Sequence, residues 1–294
     1  MDNNNMMKYK PMLAYPVSTK PIDYNNKVYM QPKLDGVRCL IQYESEKHGD
    51  DIYEVGKVVA YSRTGKEWKN IEHILFNLKP FFQLNPDAVL DGELYNHDLR
   101  DNFEKIISCV RKTKPTTAHR LESSGLVQFH CYDVPSDPGR FDVRNEWIKL
   151  NVPRNFCIHH VETHEVHAEK YALDLHKIFL NKGYEGSILR LNTEYQCKRS
   201  HSLRKFKDFH DTEAVLTSWV EGKGKRVGTI GKFMAVDPEG NTFGMPVMDK
   251  FKYLQDNFEN MKSYVGCVAT FTYFERTKAN SYRHPLFKAL RNYE

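Results

Sequence analysis

The stretch Lys33-Leu34-Asp35-Gly36-Val37-Arg38 decides how this chain is interpreted, and it lies between two apolar runs typical of strands, Val28–Met30 and Val37–Gln42. A lysine becomes a nucleophile when nearby positive charge lowers its pKa. Gly36 permits a tight turn or a close approach of the backbone to a ligand. Arg38 suits two-point binding of a phosphate. An ordinary charged hairpin would explain the same residues, so the hexapeptide alone leaves both interpretations open.

Three further motifs lie downstream, and each is weak by itself. The acidic turn Asp91-Gly92-Glu93 offers carboxylates for a ribose hydroxyl or a metal, and Glu185 opens a strand that carries an arginine near its end. Lys205 and Lys207 point to one face of a strand because side chains alternate. Two ammonium groups on one face repel each other unless an anion lies between them, although a solvated basic strand edge is an alternative.

Composition sets the broad class of the protein. The 294 residues suffice for two domains, 40% are hydrophobic, and the net charge of +5 permits an anionic partner without demanding one. The six cysteines are scattered without a C-x-x-C pair, which favours reduced thiols over a zinc site or a disulfide framework. The start is polar and Asn-rich, and no apolar stretch approaches a membrane span. We therefore expect a soluble, cytoplasmic protein without a signal peptide or membrane association.

The periodicity predicts an α+β fold in two parts. Strands are predicted at Val58–Tyr61, on both sides of Gly92, over Leu126–Val134 and over Ser187–Leu191, with helices over Ile71–Leu78 and Ala168–Asn181. The pattern changes near Phe209–Thr212, so we place the domains at residues 1–209 and 210–294. Short β runs then predict a small barrel interrupted by one helix. These runs are Ala214–Val220, Glu221–Gly224, Gly231–Val236, Pro238–Asn241 and Val265–Phe274, and the helix is Lys250–Asn257.

The order of the motifs resembles that of the covalent nucleotidyltransferases, which comprise ATP-dependent DNA ligases, RNA ligases and mRNA capping enzymes. The resemblance spans about Met12 to Arg291. The motifs, in order, are Lys33–Arg38, Ser62–Gly65, Asp91–Glu93, Phe129–Asp133, Glu185–Arg190 and Lys205–Lys207.

Within that superfamily the chain looks most like the small ATP-dependent DNA ligases of viruses, phages and bacteria. Arg283-His284-Pro285-Leu286-Phe287, with Arg291, resembles the element that closes the C-terminal barrel of those ligases. Glu221–Gly228 resembles the basic hairpin that opens the barrel. The resemblance implies a nucleotidyltransferase domain of antiparallel sheets with flanking helices, followed by an oligonucleotide-binding (OB-fold) barrel, with the active site in a cleft.

The resemblance also implies the chemistry. Lys33 would attack the α-phosphorus of ATP, and AMP would pass to the 5′-phosphate of a nick in duplex DNA before the 3′-hydroxyl displaces it. Lys205 and Lys207 would neutralise phosphate charge. Glu93 would accept from a ribose hydroxyl, and Tyr132 would stack on adenine. Glu185, with Glu93 as a second candidate, would hold Mg²⁺ or Mn²⁺.

Several basic residues receive phosphate-binding roles by the same resemblance. Arg38 and Arg63 would grip phosphates at the nick, and Arg283 would orient the pyrophosphate of ATP. Arg190 belongs to the nucleotide site with a less defined role, and Arg204 has no role that we can assign. Lys223, Lys225 and Arg226 would contact DNA.

Three alternatives remain open. An RNA ligase shares the adenylate chemistry, a capping guanylyltransferase uses GTP, and a decayed site would leave a DNA-binding module without catalysis. The chemistry needs only a monomer and no obligate protein partner. The histidines His159, His160, His164 and His167 lie close together, but the strand predicted over Cys157–Val161 does not favour a metal site there.

Overall fold

The protein is described by a computed structural model over residues 7–46, 55–206, 210–248, 263–273, 275–276 and 280–291. The chain divides into two compact units, Met1–Phe206 and Lys207–Glu294. The helix expected over Lys250–Asn257 and the side chain of Lys207 lie outside the described residues. Within the described ranges, no helix has both the length and the apolar character needed to cross a membrane.

The described residues of the first unit form ten strands and five α-helices. Its strands are β1 (Leu13–Pro16), β2 (Val28–Lys33), β3 (Val37–Glu46), β4 (Val55–Tyr61), β5 (Val89–Tyr95), β6 (Gln128–Asp133), β7 (Ile158–His160), β8 (His164–Val166), β9 (Gly186–Leu191) and β10 (Arg199–Phe206). Its helices are α1 (Glu72–Leu84), α2 (Phe103–Val110), α3 (Thr117–Leu126), α4 (Phe141–Asn151) and α5 (Glu169–Asn181).

Two five-stranded sheets organise this unit. One has the strand order β1-β10-β9-β2-β8, and the other has the order β4-β3-β5-β6-β7. All neighbours are antiparallel except the pairs β1–β10 and β6–β7. The hexapeptide at Lys33 therefore carries the chain from β2 in the first sheet to β3 in the second. The predicted α+β class with largely antiparallel sheets is confirmed.

Apolar faces of the helices cover both sheets. One core joins the second sheet to α1 and α2 through residues such as Ile41, Leu78 and Ile106, and another joins the first sheet to α5 through Met30 and Phe179. Burial of such side chains is the main force that holds helices on sheets. The predicted helix over Ala168–Asn181 is confirmed as α5, which begins one residue later.

The helix predicted over Ile71–Leu78 continues to Leu84 as α1, through Pro80. Proline usually interrupts a helix because it lacks an N–H and crowds the preceding turn. Here Phe81 and Phe82 follow it and are buried in the core, which offsets that cost. The two short strands predicted around Gly92 are one continuous strand, β5.

The second unit is built from strands β11 (His210–Glu221), β12 (Ile230–Val236), β13 (Thr242–Pro246), β14 (Val268–Tyr273), β15 (Glu275–Arg276), β16 (Tyr282–Arg283) and β17 (Leu286–Arg291). Five of them form a sheet ordered β13-β12-β11-β14-β17, whose two edges within the described residues are β13 and β17, while β15 pairs with β16. The core of this unit contains Phe233, Phe243, Phe271 and Phe287.

Two of the β runs expected in this unit are turns instead. The chain leaves β11 at Glu221, so Gly222–Gly224 belongs to a turn that leads into a short 3₁₀ helix, Gly224–Arg226. The stretch Pro238–Asn241 is the turn between β12 and β13, where the Asp237 carboxylate accepts from the backbone N–H groups of Glu239 and Asn241. These backbone N–H groups bond to a side chain instead of to a neighbouring strand, which favours a turn.

Candidate active site

A cavity of about 310 Å³ lies in the first unit and is lined from both of its sheets. The residues of the predicted site that line it come from six different segments of the chain. They are Lys33, Arg38, Arg63, Glu93, Tyr132, Arg190 and Lys205. The fold thus gathers residues that are up to 172 positions apart around one space large enough for a small ligand.

Lys33 lines this cavity and forms an ion pair with the buried Glu185. Lys33 ends β2 opposite Gly186 of β9, and the backbone N–H of Glu185 donates to the Lys33 carbonyl at 3.1 Å. The Lys33 ammonium contacts the Glu185 carboxylate, and their side chains are 23% and 5% exposed. The strand pairing therefore fixes a lysine and a carboxylate beside each other, with the lysine open to the cavity.

Glu93 and Tyr132 stand together on the neighbouring strands β5 and β6. The Tyr132 hydroxyl donates to Glu93 Oε2 at 3.2 Å. Burial raises the pKa of Glu93 to about 7, against the opposing influence of Arg38 and Lys33. A carboxyl group with a raised pKa is able to accept or donate a hydrogen bond near neutral pH.

Two guanidinium groups lie near the Tyr132 ring. The Arg38 guanidinium is 5.0 Å from the ring centroid, and that of Arg190 is 5.2 Å from it. Both distances suit attraction between a cation and an aromatic face. The ring is therefore held in a defined orientation at the cavity, as a stacking surface requires.

Arg38 is anchored by a carboxylate that the sequence motif had offered for a ligand. Its Nε donates to Asp91 Oδ1 at 2.6 Å, and its Nη2 contacts Asp91 Oδ2. The Tyr195 hydroxyl donates to the same Asp91 carboxylate at 2.7 Å and accepts from the Met12 N–H at 2.7 Å. Asp91 thus positions Arg38 instead of facing the cavity, which leaves Glu93 as the acid of that motif on the cavity wall.

Arg190 is held by a second buried acidic residue. Its Nη1 donates to Asp133 at 2.6 Å, and its Nε donates to Gln31 at 2.6 Å. Arg144 donates from Nε to the other oxygen of Asp133, also at 2.6 Å. Burial by itself would raise the pKa of Asp133, but the two guanidinium groups hold that pKa below its ordinary value.

Gly36 is required by close packing at the entrance to β3. A Cβ atom at this position would lie 2.5 Å from the Leu94 carbonyl oxygen and 2.6 Å from the Glu93 side chain. Both distances are shorter than real contacts of a Cβ atom. The glycine therefore lets the chain pass close to Glu93 as it crosses from one sheet to the other.

Comparison with known proteins identifies the family of the chain. A family model described as the ATP-dependent DNA ligase domain matches residues 11–207. The chain belongs to this family.

Relatives of this ligase-family chain include viral enzymes. The DNA ligase of African swine fever virus (isolate Tick/South Africa/Pretoriuskop Pr4/1996) is 32% identical over 216 residues, an overlap of 68% of this chain and 46% of that protein. A second isolate (Warthog/Namibia/Wart80/1980) gives 31% identity over the same shares of the two chains. The chain therefore spans about half the length of the curated relatives it matches.

Solved structures support the fold. A structure from a study of DNA binding with a minimal scaffold in Lig E DNA ligases has a TM-score of 0.70 at 23% identity, covering 96% of this chain and 98% of that one. The ATP-dependent DNA ligase of bacteriophage T7 in complex with ATP has a TM-score of 0.54 at 17% identity, covering 97% and 99%.

The other expected site residues of the ligase-family chain lie in its second unit. Arg283 is in β16, and Lys223 and Lys225 are exposed around the 3₁₀ helix after β11. The Nη2 of Arg226 donates to the backbone carbonyls of Ile230 and Val247 at 2.8 Å each. Its guanidinium thus fastens this loop to the end of β13, and its contact with DNA stays a prediction.

The structure also explains residues that the sequence left without a role. Arg204 is buried in β10, and its Nη1 donates to Thr19 Oγ1 and to the Lys20 carbonyl, so it fastens the segment after β1 to the sheet. His159 lies in β7 and stacks on His130 with the ring centroids 4.8 Å apart. Among the described residues, no cluster of three or more His, Cys, Asp or Glu side chains is arranged to hold a metal.

Asp91, Tyr195 and Gln31 support the site without matching any expected role. Asp91 belonged to a quoted motif, but Tyr195 and Gln31 carry no signal in the sequence, because they act through contacts between distant strands. Their partners Arg38 and Arg190 are 157 and 159 positions away.

Proposed function

We propose that this chain is an ATP-dependent DNA ligase that seals nicks in duplex DNA through a covalent adenylate on Lys33. The observation that carries the proposal is the convergence of Lys33, Glu93 and Tyr132 at one cavity, with Glu185 paired to Lys33, in a chain of the ligase family. The cavity combines a nucleophile, carboxylates and an aromatic face. Binding a nucleotide and attacking its α-phosphorus require this combination of groups.

In the first step, the Lys33 amine attacks the α-phosphorus of ATP, a nitrogen–phosphorus bond forms, and pyrophosphate leaves. The amine must be neutral when it attacks, and Glu185 is placed to hold or accept its proton. Lys205 on the cavity wall, with Lys207, supplies positive charge for the phosphates. The Tyr132 ring stacks on adenine, Glu93 accepts from a ribose hydroxyl, and Arg190 keeps the ring in place.

The second and third steps transfer AMP and join the strands. A 5′-phosphate oxygen at the nick attacks the phosphorus of the lysyl–AMP, and the nitrogen–phosphorus bond breaks. The 3′-hydroxyl then attacks the activated 5′-phosphate, and AMP leaves with the bonding electrons. Arg63, which is exposed at the cavity, and Arg38, which Asp91 orients, would contact phosphates of the nicked strands.

A divalent cation fits the donor set at the cavity. Glu185, and with it Glu93, provides the hard oxygen ligands that Mg²⁺ or Mn²⁺ prefers, and Mg²⁺ commonly binds one or two carboxylates together with substrate phosphates and water. The ion would supply charge neutralisation at the phosphates.

We assign the nucleotidyltransferase domain to residues 1–209 and an OB-fold barrel to residues 210–294. The five-stranded sheet of the second unit and its apolar core support that assignment. Arg283 would orient the pyrophosphate, and Lys223, Lys225 and Arg226 would contact DNA. We further propose that the protein acts as a monomer in the cytoplasm, without an obligate protein partner.

Covalent labelling tests the proposal. The protein is incubated with α-³²P-ATP or α-³²P-GTP and a divalent cation, and the labelled wild type is then mixed with nicked duplex DNA. We expect label from ATP only, its complete loss in Lys33→Ala, and its transfer to the nick to give a sealed strand. Lys27→Ala, which removes an exposed lysine at the start of β2, is the matched control and should label normally.

Other results would redirect the assignment. Label from GTP would move the chain to capping chemistry, and a faster reaction on nicked RNA would make it an RNA ligase. Binding to nicks without any label would leave a DNA-binding module.

A further inference from the structure

Six basic side chains form a positive surface on the first unit, and one of them, Arg63, also lines the cavity. They come from two segments, the turn between β4 and α1 and the connection between α2 and α3. Five are exposed and Lys112 is half-buried. We call this surface the basic strip, and it consists of Arg63, Lys66, Lys69, Arg111, Lys112 and Lys114.

Buried Asn70 holds the two segments of the basic strip beside each other. Its side-chain nitrogen donates to the Cys109 carbonyl at 2.8 Å and to the His119 carbonyl at 3.2 Å. The Ser123 hydroxyl donates back to the Asn70 carbonyl. Lys69 directly precedes Asn70, and Arg111 follows Cys109 by two positions, so these hydrogen bonds place charges from distant parts of the sequence side by side.

One end of the strip reaches the cavity. Ser62 and Lys66 close a tight turn, in which the Ser62 N–H donates to the Lys66 carbonyl at 2.7 Å and the Lys66 N–H donates to the Ser62 hydroxyl at 2.9 Å. Arg63 at the tip of this turn lines the cavity. The strip therefore leads from the edge of the candidate active site outward over the surface.

The positive charge of the strip is not balanced locally. Within the described ranges, none of the six side chains forms an ion pair, whereas neighbouring basic residues do: Arg120 pairs with Glu72 at 3.0 Å, and Lys105 pairs with Glu122. Glu67 is an exposed acidic residue within the same turn. Glu122 also interacts electrostatically with Lys112, but it is already paired with Lys105, so the strip keeps an excess of positive charge. The six positive charges repel each other, and a polyanion laid along them would relieve that repulsion.

We propose that the basic strip binds the sugar–phosphate backbone of duplex DNA on one side of the nick. The proposal rests on the ligase function proposed above, and it adds a surface that none of the sequence motifs includes beyond Arg63. Duplex DNA fits because it presents phosphates at regular spacing along a line, and because the strip continues from the cavity that would hold the 5′-phosphate. The contacts are made to phosphates, so they position the duplex without reading its sequence.

Two variants with equal loss of charge test the strip. Arg111→Ser/Lys112→Ser/Lys114→Ser removes its outer half. Arg154→Ser/Lys170→Ser/Lys177→Ser removes one arginine and two lysines from exposed positions elsewhere in the first unit. Affinity for a nicked duplex with long arms is measured at several salt concentrations. The plot of log K against log salt has a negative slope, and each lost phosphate contact makes it less steep by about 0.9. The slope of the strip variant should therefore be less steep than that of wild type by about 2–3.

We also expect the strip variant to bind roughly tenfold or more weakly at about 0.1 M salt, with the control within about twofold of wild type. Shortening the duplex arm on the side of the strip should reduce wild-type affinity to that of the variant. Equal slopes for the strip variant and the control would overturn the proposal. A deficit that persists on a duplex too short to pass the cavity, or that is the same on single-stranded DNA, would also overturn it.

Labelling of Lys33 with ATP, which needs no DNA, separates this proposal from the ligase function. The strip variant should label at the wild-type rate, which also shows that it is folded. If wild type does not label, the ligase proposal fails, but the comparison of DNA affinities still shows whether the strip binds DNA. If wild type labels and the two triple variants bind alike, the strip alone fails.

Discussion

Asp133 is the residue on which the buried charge of the first unit converges. Arg144 and Arg190 both donate to it, and Arg190 continues to the Tyr132 ring at the cavity. A buried carboxylate is stable here because two guanidinium groups replace its lost hydration. The position of the Tyr132 ring at the cavity thus depends on a buried ion network.

We expect Asp133→Asn to lower the free energy of unfolding by about 3–5 kcal/mol, because it leaves two buried guanidinium groups with too little negative charge. Urea unfolding followed by circular dichroism measures this change. Asp174→Asn, at an exposed carboxylate paired with Lys170, should cost less than about 0.5 kcal/mol. Similar losses in the two variants would contradict the role given to the network.

His130 should make the stability of the protein depend on pH. Burial lowers its pKa to about 3, below the ordinary value near 6.5. At a pH between these two values, the unfolded chain binds a proton that the folded chain does not, so stability falls as the pH drops below about 6.5. We expect a loss on the order of 1–2 kcal/mol between pH 7 and pH 5 from this residue.

The measurement is the pH dependence of the urea midpoint for wild type and His130→Gln. The variant should show a shallower loss of stability between pH 7 and pH 5. The same substitution at the exposed His167 should leave the wild-type slope. An unchanged slope in His130→Gln would rule out this histidine as the source.

At the scale of elements, the crossing from β2 to β3 carries the catalytic proposal. Lys33 ends one strand, Arg38 is near the start of the next, and Gly36 between them passes within contact of Glu93. The two sheets therefore present the lysine and the carboxylate to one cavity. Any added volume at Gly36 would push these groups apart.

We expect Gly36→Ala to reduce labelling of Lys33 by ATP at least about tenfold, because small displacements of reacting groups are costly in rate. Gly125→Ala is the control, since a Cβ there meets nothing within 4 Å and the residue lies in helix α3. That variant should label normally and gain up to about 1 kcal/mol of stability. Normal labelling by Gly36→Ala would show that the tight crossing is dispensable.

At the scale of the whole molecule, each of the two units has apolar cores of its own. Two cores lie in residues 1–206, and a separate core lies in the remainder. Units with independent cores commonly fold alone.

We expect residues 1–206 expressed alone to unfold cooperatively and to bind ATP weakly, with labelling of Lys33 slowed by at least about tenfold relative to the full chain. The physical reason is the loss of the phosphate-binding charge proposed for Lys207 and Arg283. Thermal unfolding and the rate of ATP labelling check the two parts. Labelling at the full rate by the first unit alone would show that neither Lys207 nor Arg283 is needed for the first step.

The local patterns of the sequence predicted the α+β class and helix α5, and the resemblance of its motif order to a known family singled out seven residues that line the cavity. Apolar periodicity predicts α5 directly. Short motifs such as Lys33–Arg38 can be identified from the sequence because the chemistry of their side chains does not depend on their place in the fold. Helix α4 was not predicted because its buried stripe contains Arg144, which is polar in sequence and becomes internal only through Asp133. Helix α2 has a clear apolar face but only eight residues, and helix α3 is largely polar, so neither was predicted.

Tertiary structure alone decided which partners those residues have. Asp91 was as good a ligand candidate as Glu93 in sequence, and only the pairing of β3 with β5 assigns it to Arg38. The basic strip likewise exists only because Asn70 joins two segments that are about 40 residues apart. Local sequence determines the chemistry of a residue, whereas long-range packing determines its surroundings, and charge, burial and pKa depend on those surroundings.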